Sequence, residues 1–199
     1  MRSLRLTVGA FVVAAVLALI ATPANAAVWW STDRWGTWSN GGYTLYNNVW
    51  GSGFGPQTIW ANSPNNWGVW ANHPNTGGIK SYPNATRWIG RRVSVLGTVT
   101  SNFNVSVPTS GVAFTTAYDI WSSDNAHEIM LWMNKYGPVG PLGSFQTTAT
   151  VGGHTWNVSA APTARTRCTR LSVPRTPIRA AWTSERSRSG SATVAGSAT

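Results

Sequence analysis

Short stretches rich in valine, threonine, tyrosine and tryptophan alternate with clusters of glycine, proline, asparagine and serine through residues 27–157 of this 199-residue chain. Stretches of this length and composition predict β-strands, and the clusters between them predict turns. None of them has the apolar spacing that is typical of a helix. The chain is therefore expected to be all-β, a jelly-roll sandwich of two antiparallel sheets, with candidate strands at Tyr43–Trp50, Gly68–Trp70, Arg92–Val99, Val112–Trp121, Glu128–Asn134 and Thr147–Val158.

The candidate strand Glu128–Asn134 carries a single carboxylate, Glu128, in a chain with only five acidic residues. Strand alternation places Glu128, Met130 and Trp132 on one face. The other face is purely apolar and is expected to be core: Ile129, Leu131 and Met133. A lone acid on a strand is more often a solvated edge residue than a functional one. An acid flanked by soft and aromatic side chains is nevertheless suited to chemistry on sugars.

The first 26 residues have the pattern of a secretory signal peptide. Arg2 and Arg5 form a basic start, an apolar stretch follows, and Ala24–Ala26 is a small-residue cleavage site. The apolar stretch is short for a membrane span, and no second one follows it. We therefore expect a secreted, extracellular protein with no membrane attachment after cleavage.

The net charge of +10 is concentrated at the C-terminal end. Residues 158–199 contain seven arginines and one acid, Glu185, whereas residues 27–157 carry six basic and four acidic side chains. The body is therefore nearly neutral, which argues against nucleic acid as its partner. A basic tail that binds nucleic acid or anionic surfaces is the weakest of the alternative functions, and it predicts binding that salt weakens.

Metal and disulfide sites are not expected. The single Cys168 excludes an internal disulfide, and the three histidines lie far apart in the sequence. The pair His127–Glu128 lacks the second histidine of a zinc protease motif, because Leu131 stands in its place. No cofactor and no metal are predicted, and the chain is expected to be a monomer.

Tryptophan is unusually abundant, with twelve of the thirteen residues before Asn157. Half of them are expected to be ordinary core residues. The rest lie among asparagines and glycines, and exposed indoles on an uncharged surface suit stacking against the flat faces of sugars.

Several blocks together resemble glycoside hydrolase family 12, the endo-β-1,4-glucanases or cellulases with a concanavalin-like jelly roll. The blocks occur in the family's order over roughly residues 33–158: Asp33–Trp38, Gly42–Gly55, Lys80–Asn84, Ala117–Trp121, Glu128–Trp132, Lys135–Ser144 and Val151–Trp156. The resemblance implies hydrolysis of a β-1,4-glucan, cellulose or possibly xyloglucan, with retention at the anomeric carbon and without a cofactor.

The resemblance also assigns roles to residues. It implies that Glu128 is the nucleophile and that Asp119 supports it. It implies that the substrate-binding residues are Trp35, Asn48, Trp50, Met130 and Trp132. Without the resemblance, a structural role for Asp119 at the end of a strand is about as plausible as the supporting role.

The second carboxyl that a retaining glycosidase needs is not found. In the family it is a glutamate near the C-terminus, in a Glu-Pro motif that this chain lacks. Glu185 stands in a basic run without aromatic or glycine neighbours and is a poor candidate. A non-catalytic β-glucan-binding module is therefore the alternative function.

The composition changes abruptly after about residue 158. Residues 159–199 are rich in arginine, alanine, serine and threonine, which is typical of a disordered tail. A frameshift also fits, because codons read one base out of register across Arg167–Thr169 permit residues that the family has there. The chain is then expected to comprise a signal peptide at 1–26, a partial jelly roll at 27–158 that lacks strands of both sheets, and an out-of-frame or disordered tail at 159–199.

Overall fold

The computed structural model describes residues 27–162, 166–172, 181–184 and 190–198. The predicted signal peptide, residues 1–26, lies outside the described residues. No helix long and apolar enough to cross a membrane occurs in the part of the chain that is described. The strands are β1 (Trp29–Ser31), β2 (Thr37–Asn40), β3 (Tyr43–Tyr46), β4 (Gln57–Ser63), β5 (Asn66–Ala71), β6 (Asn84–Arg87), β7 (Val99–Asn102), β8 (Phe114–Ser122), β9 (His127–Tyr136), β10 (Ser144–Val151), β11 (His154–Pro162), β12 (Arg167–Ser172), β13 (Ala181–Ser184) and β14 (Gly190–Ala198).

The described strands form one large sheet and two small ones, which confirms the all-β prediction. The large sheet has nine strands in the order β10-β11-β12-β9-β8-β14-β6-β3-β2. The small sheets are β1-β4-β5 and β7-β13. Strand pairing is antiparallel except between β12 and β9, which run parallel. That pair departs from the predicted purely antiparallel sheets.

The core lies between one face of the large sheet and the small sheets. Apolar residues of β1, β4 and β5 pack on Leu45 of β3 and Ala85 of β6. Farther along, Phe103 packs on β8, β9, β11 and β12 through a second cluster: Tyr118, Leu131, Met133, Trp156 and Leu171. The predicted core face of β9 is confirmed, because Leu131 and Met133 are buried in that cluster with Ile129 packed against it. The opposite face of the large sheet is left free for a site.

Three predicted strands differ from the observed ones for local reasons. The strand predicted at Thr147–Val158 is a hairpin of β10 and β11, because Gly152 and Gly153 turn with positive φ angles of 58° and 76°. The strand predicted at Tyr43–Trp50 ends early, and two residues beyond that end Asn48 has a φ of 48°. In place of Arg92–Val99 there is a 3-10 turn at Val93–Val95, and β7 begins only at Val99.

The parts of the tail that the structure describes form strands. Strand β12 pairs with both β11 and β9, and β13 pairs with β7. Strand β14 fills the gap between β8 and β6 in the middle of the large sheet. Two strands with unpaired N–H and C=O groups on facing edges can accept any proline-free segment between them. The frameshift stays a prediction, and the remaining tail residues lie outside the described ones.

Candidate active site

An open cleft of about 360 Å³ lies on the face of the large sheet that points away from the core. Its floor comes from β6, β8, β9 and β12, and its rim from the loops before β4 and β6. The lining residues are Trp50, Ile79, Tyr82, Asn84, Thr86, Asp119, Trp121, Glu128, Met130 and Arg170.

Two carboxyl groups lie side by side on the floor because of the register between β8 and β9. Trp121 stands opposite Glu128, and Asp119 stands opposite Met130, so the two acids are diagonal neighbours on one face. Both are buried, with Asp119 2% and Glu128 7% exposed. Buried acids in a cleft, close enough to influence each other, are typical of a functional site.

Asp119 holds a proton more strongly than an ordinary aspartate does. Burial, followed by the negative charge of Glu128, raises its pKa to about 6. The hydroxyl of Tyr82 donates a hydrogen bond of 2.7 Å to Oδ2 of Asp119 and opposes that rise. Burial also raises the pKa of Tyr82, so the phenol remains a donor at every physiological pH. Asp119 is therefore a carboxyl that still carries a proton part of the time near pH 6.

The raised pKa of Asp119 makes a prediction for stability. Between its ordinary value of 3.8 and about 6, the folded protein binds a proton that the unfolded chain releases. This contribution is complete below pH ~4, is lost as the pH rises through about 6, and reaches about 3 kcal/mol at most.

The variant Asp119→Asn should lack that part of the pH dependence. In denaturant titrations from pH 4 to 7, the stability of the parent relative to the variant is expected to fall with rising pH. A constant difference over that range would show that Asp119 titrates normally.

A guanidinium group contacts the acid on the neighbouring strand. Arg170 of β12 stands opposite Met130, and its Nη2 lies 3.0 Å from Oε2 of Glu128. Nη1 of the same side chain is directed at Sδ of Met130. Both side chains of the ion pair are largely buried. The charge of Glu128 is therefore partly neutralised, and any reaction at its oxygens must compete with this contact.

Cys168 of β12 lies opposite Glu128 of β9 and is buried, so the reactivity of its thiol depends on the contact between these two strands. Burial, and then the hydrogen bond and charge of Glu128, raise the pKa of its thiol from 9.0 to about 11. The thiolate fraction at pH 8 is then roughly 100-fold lower than in an unfolded chain.

We expect the Cys168 thiol of the native protein to react with a disulfide reagent such as Ellman's reagent at least about 100-fold more slowly than in denaturant. Stopped-flow labelling at pH 8 measures this ratio. Equal rates would show that residues 166–172 do not lie against β9.

The rim of the cleft is held by two loops that touch backbone to backbone. The N–H of Gly51 donates to the carbonyl of Lys80 at 2.9 Å, and a Cβ at Gly51 would overlap the carbonyl oxygen of Ile79. Only glycine allows this approach. The half-exposed Trp50 is thereby fixed beside Ile79 at the edge of the cleft.

A buried polar network supports the same loops. Nε2 of Gln57 donates to the carbonyl and side-chain oxygens of Asn47 at 2.8 Å, and Ser81 donates to Oε1 of Gln57 at 2.6 Å. Nε2 of His73 lies 3.0 Å from the same Oε1, and Nδ1 accepts the N–H of Gly55. Burial and the charge of Lys80 lower the pKa of His73, which keeps the ring neutral. The network ties both loops to Gln57 of β4.

The structure brings four of the seven predicted site residues together in the cleft: Glu128, Asp119, Trp50 and Met130. The other three do not line it. Nδ2 of Asn48 donates to the carbonyl of Tyr82 at 3.0 Å, so its contact is with the loop. Trp132 is buried in a cluster with Met130. Trp35 is 56% exposed and stacks on Arg34. The roles assigned to all seven stay predictions.

Six lining residues were missed by the sequence reasoning: Ile79, Tyr82, Asn84, Thr86, Trp121 and Arg170. Alternation was a usable signal for Trp121, which lies two residues after Asp119. Tyr82 and Asn84 belong to a recognised block, although nothing local shows that they face the acids. Arg170 had no signal, because it reaches the cleft only through the parallel pairing of β12 and β9.

The remaining described acids are occupied in turns. Asp33 accepts the N–H of Trp35 at 2.9 Å. Asp124 accepts bonds from Ser122 and Ala126 in the β8–β9 turn. Among the described residues, the cleft therefore holds two carboxyl groups and no third, while Glu185 lies outside them.

Comparison with known proteins decides the family. The model of glycosyl hydrolase family 12 matches residues 34–183, well over half of the chain. The chain belongs to glycosyl hydrolase family 12. The match includes the whole of β8 and β9, and so both carboxyl groups of the cleft, as well as β12 with Arg170.

Individual members of the family show the same relationship. The probable xyloglucan-specific endo-β-1,4-glucanase A of Aspergillus terreus is 32% identical over 147 residues, covering 63% of this chain and 58% of that protein. The chain thus spans about three fifths of the length of such curated relatives. The xyloglucanase domain of NopAA from Sinorhizobium fredii, solved with cellobiose, is 33% identical with a TM-score of 0.78, covering 87% of this chain and 92% of that domain.

A more distant member supports the fold alone. Endoglucanase 3 of Trichoderma harzianum is 21% identical with a TM-score of 0.69, covering 85% of this chain and 88% of that one. Together with the observed sheets, this confirms the jelly-roll architecture expected of family 12.

Proposed function

We propose that this chain acts on β-1,4-glucan chains bound in the cleft, as an endo-β-1,4-glucanase whose nucleophile is Glu128 and whose reaction proceeds with retention. The observation that carries the proposal is the buried pair of Glu128 and Asp119 on the floor of an open cleft with Trp50 at its rim. An open cleft admits the middle of a polymer, and indole rings suit the apolar faces of sugars.

The chemistry follows from the two carboxyl groups. An oxygen of Glu128 attacks the anomeric carbon, the glycosidic bond breaks, and a covalent glycosyl-enzyme forms. Water then attacks the same carbon and releases Glu128 with net retention. Asp119 accepts the hydrogen bond of the Tyr82 hydroxyl, carries a proton part of the time near pH 6, and positions Glu128 from the neighbouring strand. Asp119 is a positioning residue here, and the described cleft offers no separate carboxyl to protonate the departing oxygen.

Xyloglucan is the proposed substrate, ahead of unsubstituted cellulose. The Aspergillus terreus protein and the NopAA domain, at 32% and 33% identity, both carry xyloglucan specificity in their names. The endoglucanase structure of Trichoderma harzianum is only 21% identical. We also propose that residues 1–26 direct secretion, because such polymers are too large to enter a cell.

A glucan-binding module without catalysis is the second candidate, and two observations favour it. Arg170 occupies an oxygen of Glu128 at 3.0 Å, and the described cleft lacks a third carboxyl. Such a module would bind glucan through the aromatic wall of the cleft, which is formed by Trp50, Tyr82 and Trp121. Glu128 would stay paired with Arg170.

The proposed function is tested by incubating the purified protein with soluble xyloglucan and following viscosity and reducing ends together. An endo-acting enzyme lowers the viscosity well before reducing ends accumulate, and the products keep the β configuration when first released. Binding without any change in viscosity over days, at high protein concentration, would favour the binding module.

A further inference from the structure

A second aromatic surface lies on the three-stranded sheet, away from the cleft. Trp30 of β1 is the register partner of Trp60 of β4, and Trp60 is the partner of Gly68 of β5. These positions alternate with the core residues Ile59 and Ala61, so they face outward. Trp30 is 62% exposed and Trp70, two residues after Gly68, is 64% exposed.

Three indoles lie on this outward face of adjacent strands, and we call them the outer tryptophan platform: Trp30, Trp60 and Trp70. The rings of Trp60 and Trp70 are 5.8 Å apart between centroids and tilted by 33°. A Cβ at Gly68 would lie 2.8 Å from Cζ2 of Trp60, so the missing side chain lets that ring lie across the neighbouring strand. Three strands ~4.8 Å apart span about 10 Å, so the platform is wide enough for more than one sugar ring.

The charge of this sheet indicates a neutral partner. None of the residues in β1, β4 and β5 is ionisable, and the polar residues among them are serine, threonine, glutamine and asparagine. Amide and hydroxyl groups beside flat apolar rings match a neutral polysaccharide, whereas a nucleic-acid partner needs lysine and arginine side chains against its phosphates.

The area of the platform argues against a second copy of the chain. An indole buries at most about 250 Å², so two rings exposed by about 60% offer roughly 300 Å². A stable protein interface needs about 800 Å² on each side. A polymer held at several points needs no such area, because each further contact is made at high effective concentration.

We propose that the outer tryptophan platform is a secondary binding surface for neutral β-glucan chains, separate from the catalytic cleft. It rests on the proposed function, since it assigns the same polymer to a second surface. The platform retains the protein on the polymer while the cleft engages and releases individual segments.

The test uses Glu128→Gln protein, which leaves the polymer intact, in gels that contain soluble xyloglucan. Adding Trp30→Ala and Trp70→Ala should weaken binding about tenfold or more. Trp88→Ala is the matched control, since Trp88 is 63% exposed and belongs to neither surface, and it should leave retardation unchanged. Melting temperatures confirm that each variant is folded.

A second readout separates this proposal from the proposed function. In protein that keeps Glu128, the Trp30/Trp70 variant should cleave an activated aryl cellobioside as fast as its parent, because so short a substrate occupies only the cleft. If that variant keeps its affinity for xyloglucan while Trp50→Ala loses it, the platform is not a binding surface. The proposal that the cleft binds glucan would still hold. A concentration-dependent dimer that the same variant dissociates, with polymer affinity unchanged, would also overturn it.

Discussion

Glu128→Gln is expected to lower the release of dinitrophenolate from 2,4-dinitrophenyl β-cellobioside by roughly 10³-fold or more. The amide has nearly the same shape as the carboxylate but cannot attack the anomeric carbon. Affinity for xyloglucan should stay within about threefold, because the aromatic wall of the cleft is unchanged. Initial rates and gel retardation measure the two effects separately.

Two controls accompany this variant. Asp124→Asn removes an acid from the exposed turn between β8 and β9, where asparagine can keep the turn bonds, and should leave the rate unchanged. Glu128→Gln also leaves Arg170 without its partner, which can destabilise the fold. The double variant Glu128→Gln/Arg170→Gln removes both charges and should be equally inactive. Parent-level turnover in either variant would exclude Glu128 as the nucleophile.

A steep dependence on the leaving group is the second large effect that we expect. Assistance by a general acid contributes roughly 10²–10⁴-fold where the departing oxygen needs a proton. Because the described cleft holds no carboxyl for this task, the rate should fall by roughly 10³-fold from the dinitrophenyl to the phenyl cellobioside. The rate with the dinitrophenyl substrate should also lack a decline at alkaline pH.

Similar rates on the two substrates would show that a group of the protein supplies the proton. The variants Glu185→Gln and Asp119→Asn then show whether Glu185 or Asp119 is the proton donor. Only the variant that removes the donor would restore the steep dependence of the rate on the leaving group. We expect Glu185→Gln to have no effect on either substrate, because this acid stands in a basic stretch without an aromatic or glycine neighbour.

The fold class and the strand that carries Glu128 could be predicted from the sequence because both depend on local periodicity. Alternation alone placed Leu131 in the core and Glu128 on the opposite face, as the structure confirms. Strand ends were less predictable, since they depend on single backbone angles. At Gly152 and Gly153, positive φ angles convert one apparent strand into a hairpin.

The long-range part of the site could not be predicted in the same way. Arg170 is 42 residues from Glu128 and meets it only because β12 inserts parallel to β9. Its neighbours have no apolar alternation, so composition suggested a disordered tail. Backbone N–H and C=O groups pair whatever the side chains are. The partners of β12 are the edges of β9 and β11, and the sequence of the tail alone does not show them.

Strand β14 is also placed by backbone pairing, with β6 and β8, and it lies directly beside Asp119. Its residue Thr193 is the register partner of Asp119, in the strand that crosses the floor between β8 and β6. The segment Gly190–Ala198 contains no acidic residue. The strand beside Asp119 therefore contains no carboxyl group, and the absence of an acid/base glutamate stays a prediction.

Attack of Glu128 on the anomeric carbon can be detected by mass spectrometry after incubation with 2,4-dinitrophenyl β-cellobioside. The activated leaving group departs without a proton, and the described part of the cleft offers no separate carboxyl as a base for hydrolysis of the intermediate, so the glycosyl-enzyme should accumulate. We predict one cellobiosyl group per protein molecule, on the peptide that contains Glu128. An unlabelled protein that still binds xyloglucan, or a label on another residue, would exclude Glu128 as the nucleophile.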